Sequence, residues 1–403
     1  MRFIVNFAGS RDHYQVPLAL AEADALERLC TDFYFDRTAQ SALYRRLWSR
    51  LSRRFVDGVP ARLTHGNLST IAVQSLRKIG MPSSVVDQLT ARMIGNDARN
   101  EAARSDADLF LYSATAHAAF TDRRLRDRRK VLFCFHPHHA WNAAILRADV
   151  ERFPSLFAHY REEPDVSLTH FNRLLDEEIE LADEIVCASA FSARSVSAHF
   201  SKAKVRIVPY GAFPVTAPRA APRDKASNRP TRFLFVGQGV QRKGLHHLAI
   251  AWQKAGLSNA RLDLVCTGLA PAIRSMLPDT VVLHDRLPAA ELTRLYREAH
   301  VFVMPSLVEG FGLVYLEAFA HGCHCIYTPN TGVPDLNPDT NAGTEVIAGD
   351  LDALTQALID SHRRVQTGDI DWASIVHFAH QWPWTRFRQG IRDAVGLEQG
   401  LPS

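Results

Sequence analysis

No stretch of the sequence approaches the roughly 18 consecutive apolar residues that a membrane-spanning helix requires, which excludes a helical membrane span. The first apolar run, in "MRFIVNFAGSRDHY", stops at Arg11 and Asp12; it is too short for a signal-peptide core and has the length of a first strand. Cysteine is scarce. The six residues Cys30, Cys134, Cys187, Cys266, Cys323 and Cys325 mostly sit in apolar runs such as "VLFCFH" and "IVCAS", the setting of reduced, buried thiols, which excludes a disulfide framework. Neither sign of charge dominates: the formal net charge is +4, which argues against nucleic acid as a partner. There is no repeat of short period. These absences lead to the expectation of a soluble cytoplasmic protein.

What is present is a regular grammar. A length of 403 residues fits two or three domains, and 46% hydrophobic residues allow each half its own core. In the first half "RFIVNFAG", "CTDFYF", "LFLYS", "KVLFCF" and "EIVCAS" read as short strands apolar on both faces, as in a parallel sheet covered on both sides. Residues 209–232 hold five prolines and little periodic apolar content, the composition of a linker. The second half restarts the alternation: strand "RFLFVG", helix "GLHHLAIAWQKA", strand "RLDLVCTG", helix "AAELTRLYREAH", strand "VFVM", helix "LVYLEAFAHG", strand "HCIYT". Leu245, Leu248, Ala249 and Trp252 share one helical face, as do Leu292, Leu295, Tyr296 and Ala299. Strands alternating with helices predict doubly wound α/β sheets, here two Rossmann-like domains facing a cleft, with ligands beyond the carboxyl ends of the strands.

Two motifs stand at such strand ends. In "PSLVEGFGLVYLEAFAHG", Gly310 and Gly312 clear side chains from a helix start, where backbone N–H groups can approach an anion. Glu317 lies in the first turns of that helix, placed to accept from a vicinal diol, and Glu309 precedes the turn, placed for hydroxyls of a second sugar. The alternative is a glycine turn with a Glu that complements the helix dipole. In "FVGQGVQRKGLHHL", Arg242 and Lys243 follow a glycine turn and precede a helix, which suits a diphosphate. The alternative there is a solvated basic turn, and the spacing fits neither a dinucleotide fingerprint nor a Walker loop.

Taken together, "FLFVGQGVQRKGLHHLAIAW" and "VVLHDRLPAAELTRLYREAHVFVMPSLVEGFGLVYLEAFAHGCHCIYTPNTGVPDL" resemble the family-4 retaining glycosyltransferases of GT-B architecture. The first half matches more weakly, in "ELADEIVCASAFS" and "VRIVPYGAF", and "WPWTRFRQGIRDAV" resembles the family's last helix, which crosses back to the N-terminal domain. The resemblance implies an N-terminal acceptor domain over 1–210, a donor domain over 211–378 and a returning segment over 379–403. It implies that Arg242 and Lys243 meet the donor diphosphate, that Glu309 and the backbone of Gly310, Phe311 and Gly312 hold the donor sugar, and that Glu317 holds the ribose. Gly9, Gly239, Arg286 and Leu313 join the donor contacts. His136, in "FCFHPHHAW", would approach the donor sugar; His136, Glu309 and Lys243 are the catalytic candidates. His136, His138 and His139 would all face the cleft, as would Arg11, Asp12, His13 and Tyr14 after the tight turn at Gly9. Three departures from the pattern are Gln238, the pair His324 and Cys325, and Asp335, where the family has Arg, Pro-Val and Glu.

The implied activity is retaining, metal-independent transfer from a UDP- or GDP-sugar to a glycan or lipid-linked acceptor, with no cofactor. A nucleotide-sugar epimerase or a non-catalytic nucleotide-sugar-binding subunit is the alternative. Neither the close histidines nor "HGCHC" predicts a metal, the first for want of an acidic partner at ligand spacing, the second because alternate strand residues face opposite ways. "DID" at Asp369–Asp371 lies too near the chain end to serve the cleft.

One further stretch, "SALYRRLWSRLSRRFVDGVPARL", carries Arg45, Arg46, Arg50, Arg53, Arg54 and Arg62 against the single acid Asp57, with Trp48 on the apolar side. A basic amphipathic helix with Trp suits an anionic membrane surface, which would put the protein at the inner face of the cytoplasmic membrane; a solvated cationic face is the alternative. Replacing Arg46, Arg50 and Arg53 by Glu is expected to release the protein from anionic vesicles at low salt, each basic residue there contributing about 1 kcal/mol. Co-sedimentation checks this, and a wild-type protein that ignores the vesicles would leave the stretch a solvated face.

Overall fold

The structure, a computed structural model, describes residues 1–34, 54–157, 169–215 and 230–397. Two parallel sheets organise it. The first is built from β1 (Phe3–Phe7), β2 (Leu26–Thr31), β3 (Thr64–Gly66), β4 (Asp108–Tyr112), β5 (Lys130–Cys134), β6 (Glu184–Cys187) and β7 (Val205–Ile207), in the order β3-β2-β1-β4-β5-β6-β7. The second holds β8 (Thr231–Gln238), β9 (Ala260–Thr267), β10 (Val281–His284), β11 (Val301–Val303), β12 (His324–Tyr327) and β13 (Gly343–Glu345), in the order β10-β9-β8-β11-β12-β13. In each the order reverses beside the first strand, between β1 and β4 and between β8 and β11. Those switch points are where a doubly wound sheet opens a crevice. Strands β1, β4, β5, β8 and β9 run between helical layers on both faces, and their Val, Leu, Ile and Phe side chains are almost wholly buried except for the half-buried Val236.

The main helices are α1 (Gln15–Glu22), α2 (Ser83–Ala102), α3 (His139–Arg152), α4 (Thr169–Leu181), α5 (Ala190–His199), α6 (Leu245–Ala255), α7 (Ala289–Glu298), α8 (Leu313–Ala320), α9 (Leu351–Thr367), α10 (Trp372–His380) and α11 (Trp384–Val395). The apolar faces predicted for α6 and α7 are the faces that pack: Leu245, Leu248, Ala249, Trp252, Leu295, Tyr296 and Ala299 are all buried. Asp350 caps α9, and Asp371 caps α10 by accepting from the amides of Ala373 and Ser374. The "DID" sequence is therefore a helix start. All six cysteines are buried and free. No helix among the described residues is long and apolar enough to cross a membrane.

The elements differ from the sequence reading in one register. The strand expected at "CTDFYF" runs instead over Leu26–Thr31. Asp32 ends it, because its carboxylate accepts from the amides of Gly9 (3.1 Å) and Phe33 (2.9 Å), which turns the chain. Strands β3, β7 and β13, each of three residues, and the four-residue β10 lie at or beside sheet edges, too short to carry a periodic signal.

The chain passes between the domains twice, and the two passages are paired. Ala212 and Pro383 form a parallel bridge, with the Ala212 amide donating to Trp382 O at 2.8 Å. From there α11 returns to the first domain. Arg388 and Arg392 both reach Glu22 on α1, and Arg129 donates to Val395 O at 2.7 Å.

At Gly310 the domains approach each other backbone to backbone. A Cβ on Gly310 would stand 2.0 Å from Phe135 O, and the Gly310 carbonyl accepts from the hydroxyls of Ser189 and Ser192. Only glycine fits there. Gly310→Ala is expected to drive the domains apart and to lower stability by about 1–3 kcal/mol, the usual result of overpacking a filled site. Small-angle scattering should show a larger radius with unchanged helical content by circular dichroism. An unchanged radius and melting temperature would contradict this contact.

Candidate active site

The cleft floor is made where the ends of β5, β8 and β11 meet. After β8 the chain makes a one-turn helix at Gln241–Lys243, then enters α6 through Gly244. Gly239 lies so close to Leu269 that a Cβ would stand 2.7 Å from its backbone. After β11 comes "PSLVEGFG". The amides of Leu307 (2.8 Å) and Val308 (3.2 Å) donate to Arg242 O, which fastens the two loops together. Gly312 takes φ +90°, a left-handed turn that aims α8 at the cleft with no side-chain cap on its N-terminus. Those uncapped amides are the anion-facing feature expected of this motif.

Glu309 holds this arrangement together. Its Oε2 accepts from Lys243 Nζ and from Arg242 Nη1, the latter at 3.1 Å. Its side chain is only 10% exposed. Burial pushes the carboxyl upward, but Lys243 and then Arg242 overcome that and hold it at about 2. The Glu309 amide is occupied as well, donating to Asn330 O at 3.0 Å. Phe311 turns away from the cleft and packs against Tyr210, so the "GFG" backbone, not the ring, faces the site.

His136 stands opposite, directly after β5. The residue is exposed at the cleft, and the protein packed around its ring removes part of its water. That desolvation, joined by Arg242 and Arg11, holds it far below an ordinary imidazole, at about 3, so it is neutral at physiological pH. The Arg11 guanidinium lies 3.8 Å over the neighbouring Phe135 ring.

Glu317 has a different setting. It is exposed, accepts from Tyr296 Oη at 3.0 Å, and lines a pocket of about 270 Å³ together with Leu313, Leu292, Thr293, Phe213 and Trp384. That pocket does not include Glu309, Arg242 or Lys243, which lie on the other side of Gly312. Of the two motif carboxylates, only Glu309 is desolvated. Arg286 is exposed on the loop between β10 and α7.

Several expectations are corrected. His138 and His139 do not join His136 at the cation pair: both bond Asp176 on α4 through Nε2, at 2.9 and 2.8 Å. The acidic partner thought missing arrives from 37 residues downstream. His138 nonetheless fits a cap better than a metal ligand. Its Nδ1 accepts from the Ala140 amide, which leaves the proton on Nε2 to donate to Asp176. Asp12 and Tyr14 do not rim the cleft. Both are buried, with Asp12 accepting from Tyr112 Oη at 2.5 Å; Gly9, at φ +84°, makes the tight turn as expected. Arg54 is not a surface cation but an ion pair with buried Asp32, at 2.7 Å. Arg45, Arg46, Trp48, Arg50 and Arg53 lie outside the described residues. The shorter Asp335 is used across the interface, where it accepts from the Ala190 amide at the start of α5, at 2.7 Å. In "HGCHC", His321 stacks on Tyr296 and His324 bonds Asn341 O and Thr344, so these residues do not converge.

Known proteins resemble this chain as follows. Residues 230–363 match the family model described as glycosyl transferases group 1. An uncharacterized 41.2 kDa protein in the cps region of Klebsiella pneumoniae is 26% identical over 174 residues, 42% of this chain and 48% of that protein. The O-antigen chain mannosyltransferase B of Escherichia coli is 24% identical over 289 residues, 64% of this chain and 72% of that protein. The chain thus spans about half the length of the first relative and more of the second. The sucrose-phosphate synthase structure from Thermosynechococcus elongatus superposes with a TM-score of 0.62 at 16% identity, covering 98% of each chain. The fold is GT-B.

The Glu309 ion pairs give a pH test. The carboxyl sits below its unfolded value of 4.5, so its contribution to stability is complete above that pH and is lost as pH falls toward about 2. Glu309→Gln should cost on the order of 3 kcal/mol in urea unfolding at pH 6 and much less at pH 2.5. A cost that does not change with pH would remove the ion pairs from the account.

Proposed function

We propose that this chain, whose residues 230–363 belong to the group 1 glycosyl transferases, moves a sugar from a UDP- or GDP-sugar to a hydroxyl of a glycan or lipid-linked glycan in cell-surface polysaccharide synthesis. The reading includes retention of the anomeric configuration and no need for a divalent cation. One observation carries it: Arg242 and Lys243 converge on Glu309 beside the uncapped N-terminus of α8, at the switch point of the second sheet. That is a site prepared for an anion that arrives attached to a polyhydroxylated ring. The relative named as an O-antigen chain mannosyltransferase supports the polysaccharide part of the reading.

In this reading the diphosphate lies against the amides of Gly312 and Leu313, and Arg242 and Lys243 turn from Glu309 toward its oxygens. Glu309, freed in part from its cations, accepts from hydroxyls of the donor sugar, while Glu317 takes the ribose diol beside Leu313. The acceptor hydroxyl attacks the anomeric carbon on the face the diphosphate leaves. The bond from that carbon to the diphosphate oxygen breaks, its electron pair stays on the oxygen, and the acceptor proton passes to that leaving group. Two cations and a helix N-terminus stabilise the developing charge, an effect worth several kcal/mol in comparable sites. His136, neutral, contributes a hydrogen bond and no charge. Glu309 is a poor nucleophile while two cations share one of its oxygens, which favours this front-face route over double displacement. An epimerase would need an acid and a base across the sugar ring, and a neutralised Glu309 with a weakly basic His136 does not supply that pair.

Calorimetry with UDP and with GDP tests the assignments. Glu317→Ala should weaken the preferred nucleotide about tenfold or more, since hydrogen bonds to a charged group contribute about 1.5–3 kcal/mol. Glu309→Ala should leave that affinity unchanged or tighten it, by releasing both cations, while abolishing transfer. Equal losses in the two variants would refute the division of labour. Chelator should not alter the rate, and proton NMR of the product should show the donor's anomer; inversion, or activity that only manganese restores, would place the enzyme in another class.

A further inference from the structure

Away from the cleft floor, the two domains meet along one face of α3. Its residues Leu146, Asp149 and Arg152 recur every three residues and all face the second domain. Leu146 joins an apolar cluster with Leu307 and Val308, and Arg152 Nη1 donates to Gly349 O at 2.9 Å. Between them is a polar cluster almost without solvent. Asp149 Oδ2 accepts from Gln241 Nε2 at 3.0 Å and meets His246 Nε2 at 3.0 Å; Asp149 Oδ1 meets His247 Nε2 at 2.7 Å. The Asp149, His246 and His247 side chains are 4%, 0% and 2% exposed. Gln241 spends its other N–H on Leu146 O at 2.8 Å. Both of its partners are acceptors, so the orientation of its amide is fixed. Phe153 closes the cluster, with its ring edge-on to both histidines.

The sequence positions of these partners matter more than their number. Gln241 immediately precedes Arg242 and Lys243, and His246 and His247 occupy the first turn of α6 just after them. A single carboxylate from the first domain therefore grips the loop of the second on both sides of its two cations. A buried carboxylate with two imidazoles is a costly device unless every donor is aimed, and His247 Nδ1 is left without a partner among the described residues. Close packing of apolar residues would have joined the domains without that cost.

The three side chains are also close enough to share a cation. Gln241 already donates to Oδ2 of the carboxylate, and the Nε2 atoms of both histidines already have Asp149 as their partner. Around Asp149 the cluster forms a hydrogen-bonded clasp.

We propose that Asp149 is a positioning residue for the diphosphate: by fixing Gln241, His246 and His247, it sets Arg242 and Lys243 at the spacing a diphosphate requires and makes that spacing conditional on the two domains being together. This rests on reading residues 239–244 as the diphosphate loop. A displacement of about 1 Å in such groups is enough to cost about a hundredfold.

The test compares nucleoside diphosphates with monophosphates, because the clasp acts on the cations and not on the nucleoside pocket. UDP, UMP, GDP and GMP are titrated against the full-length wild type and Asp149→Asn, a near-isosteric change that removes the charge. The variant should bind the preferred diphosphate at least tenfold more weakly and the matching monophosphate within about twofold of wild type. Equal losses for both would make Asp149 a general support of the fold and overturn the proposal, as would full diphosphate affinity in a folded variant. If Asp149→Asn does not fold, Gln241→Met, which removes one arm of the clasp, is read by the same ratio. A wild type that binds neither UDP nor GDP would instead refute the donor-site reading itself, and the proposal with it.

Discussion

Two cations on neighbouring residues of one loop repel each other, and Glu309, carried by the facing loop after β11, compensates Arg242 and Lys243 at the cleft floor. That ion pair ties the turn after β8 to the turn after β11 at the point where the sheet order reverses. Much else follows from it. The backbone on either side of Glu309 is committed, its own amide to Asn330 and the Gly310 carbonyl to the first domain. Gly312 then has to take the left-handed turn that aims α8 inward. The cost of burying a carboxylate in a place poor in water is offset by these ion pairs with no sugar bound.

The site is therefore not an empty cradle. Under the proposed function a donor has to compete for the cations, and its own hydroxyls then replace them on Glu309. Such an exchange keeps the number of compensated charges constant while moving positive charge from a protein carboxylate to a phosphate. It favours ligands that bring both groups at once: a free phosphate offers nothing to Glu309, and a free sugar offers nothing to the cations. Selectivity for the joined molecule is in this way a matter of charge balance before it is a matter of shape.

How much of this could be read from the sequence depended on separation along the chain. The alternation of strands and helices, the buried faces of α6 and α7, the glycine turns and the two motif carboxylates are local patterns within a dozen residues, and they were legible. The partners of those groups were not. Asp176 reaches His138 and His139 from 38 and 37 residues away, Asp149 reaches His246 from 97, and Glu317 finds Tyr296 only because α7 and α8 lie side by side. Each is an ordinary acid or phenol on a helix, with no motif around it. Asp32 misled the reading in the other direction. A lone Asp in "CTDFYF" looks like an interruption of a strand, whereas its carboxylate ends the strand by collecting Gly9, Phe33 and Arg54. The resemblance implies sugar-facing backbone at Gly310, and the structure shows a separate reason for glycine there, the contact with Phe135.

The paired passages at Ala212 and Pro383 bear on how the two halves can move. A single tether lets a domain swivel about any axis. Two strands bridged side by side form a strap, which bends readily across its width but resists twisting and sliding. Opening and closing should then be confined to something near one degree of freedom, like a book on its spine, with Phe135 and Gly310 as the edges that touch when it shuts. Severing either passage alone would not free a domain, because the other passage and the grip of α11 on α1 would still hold the halves in register.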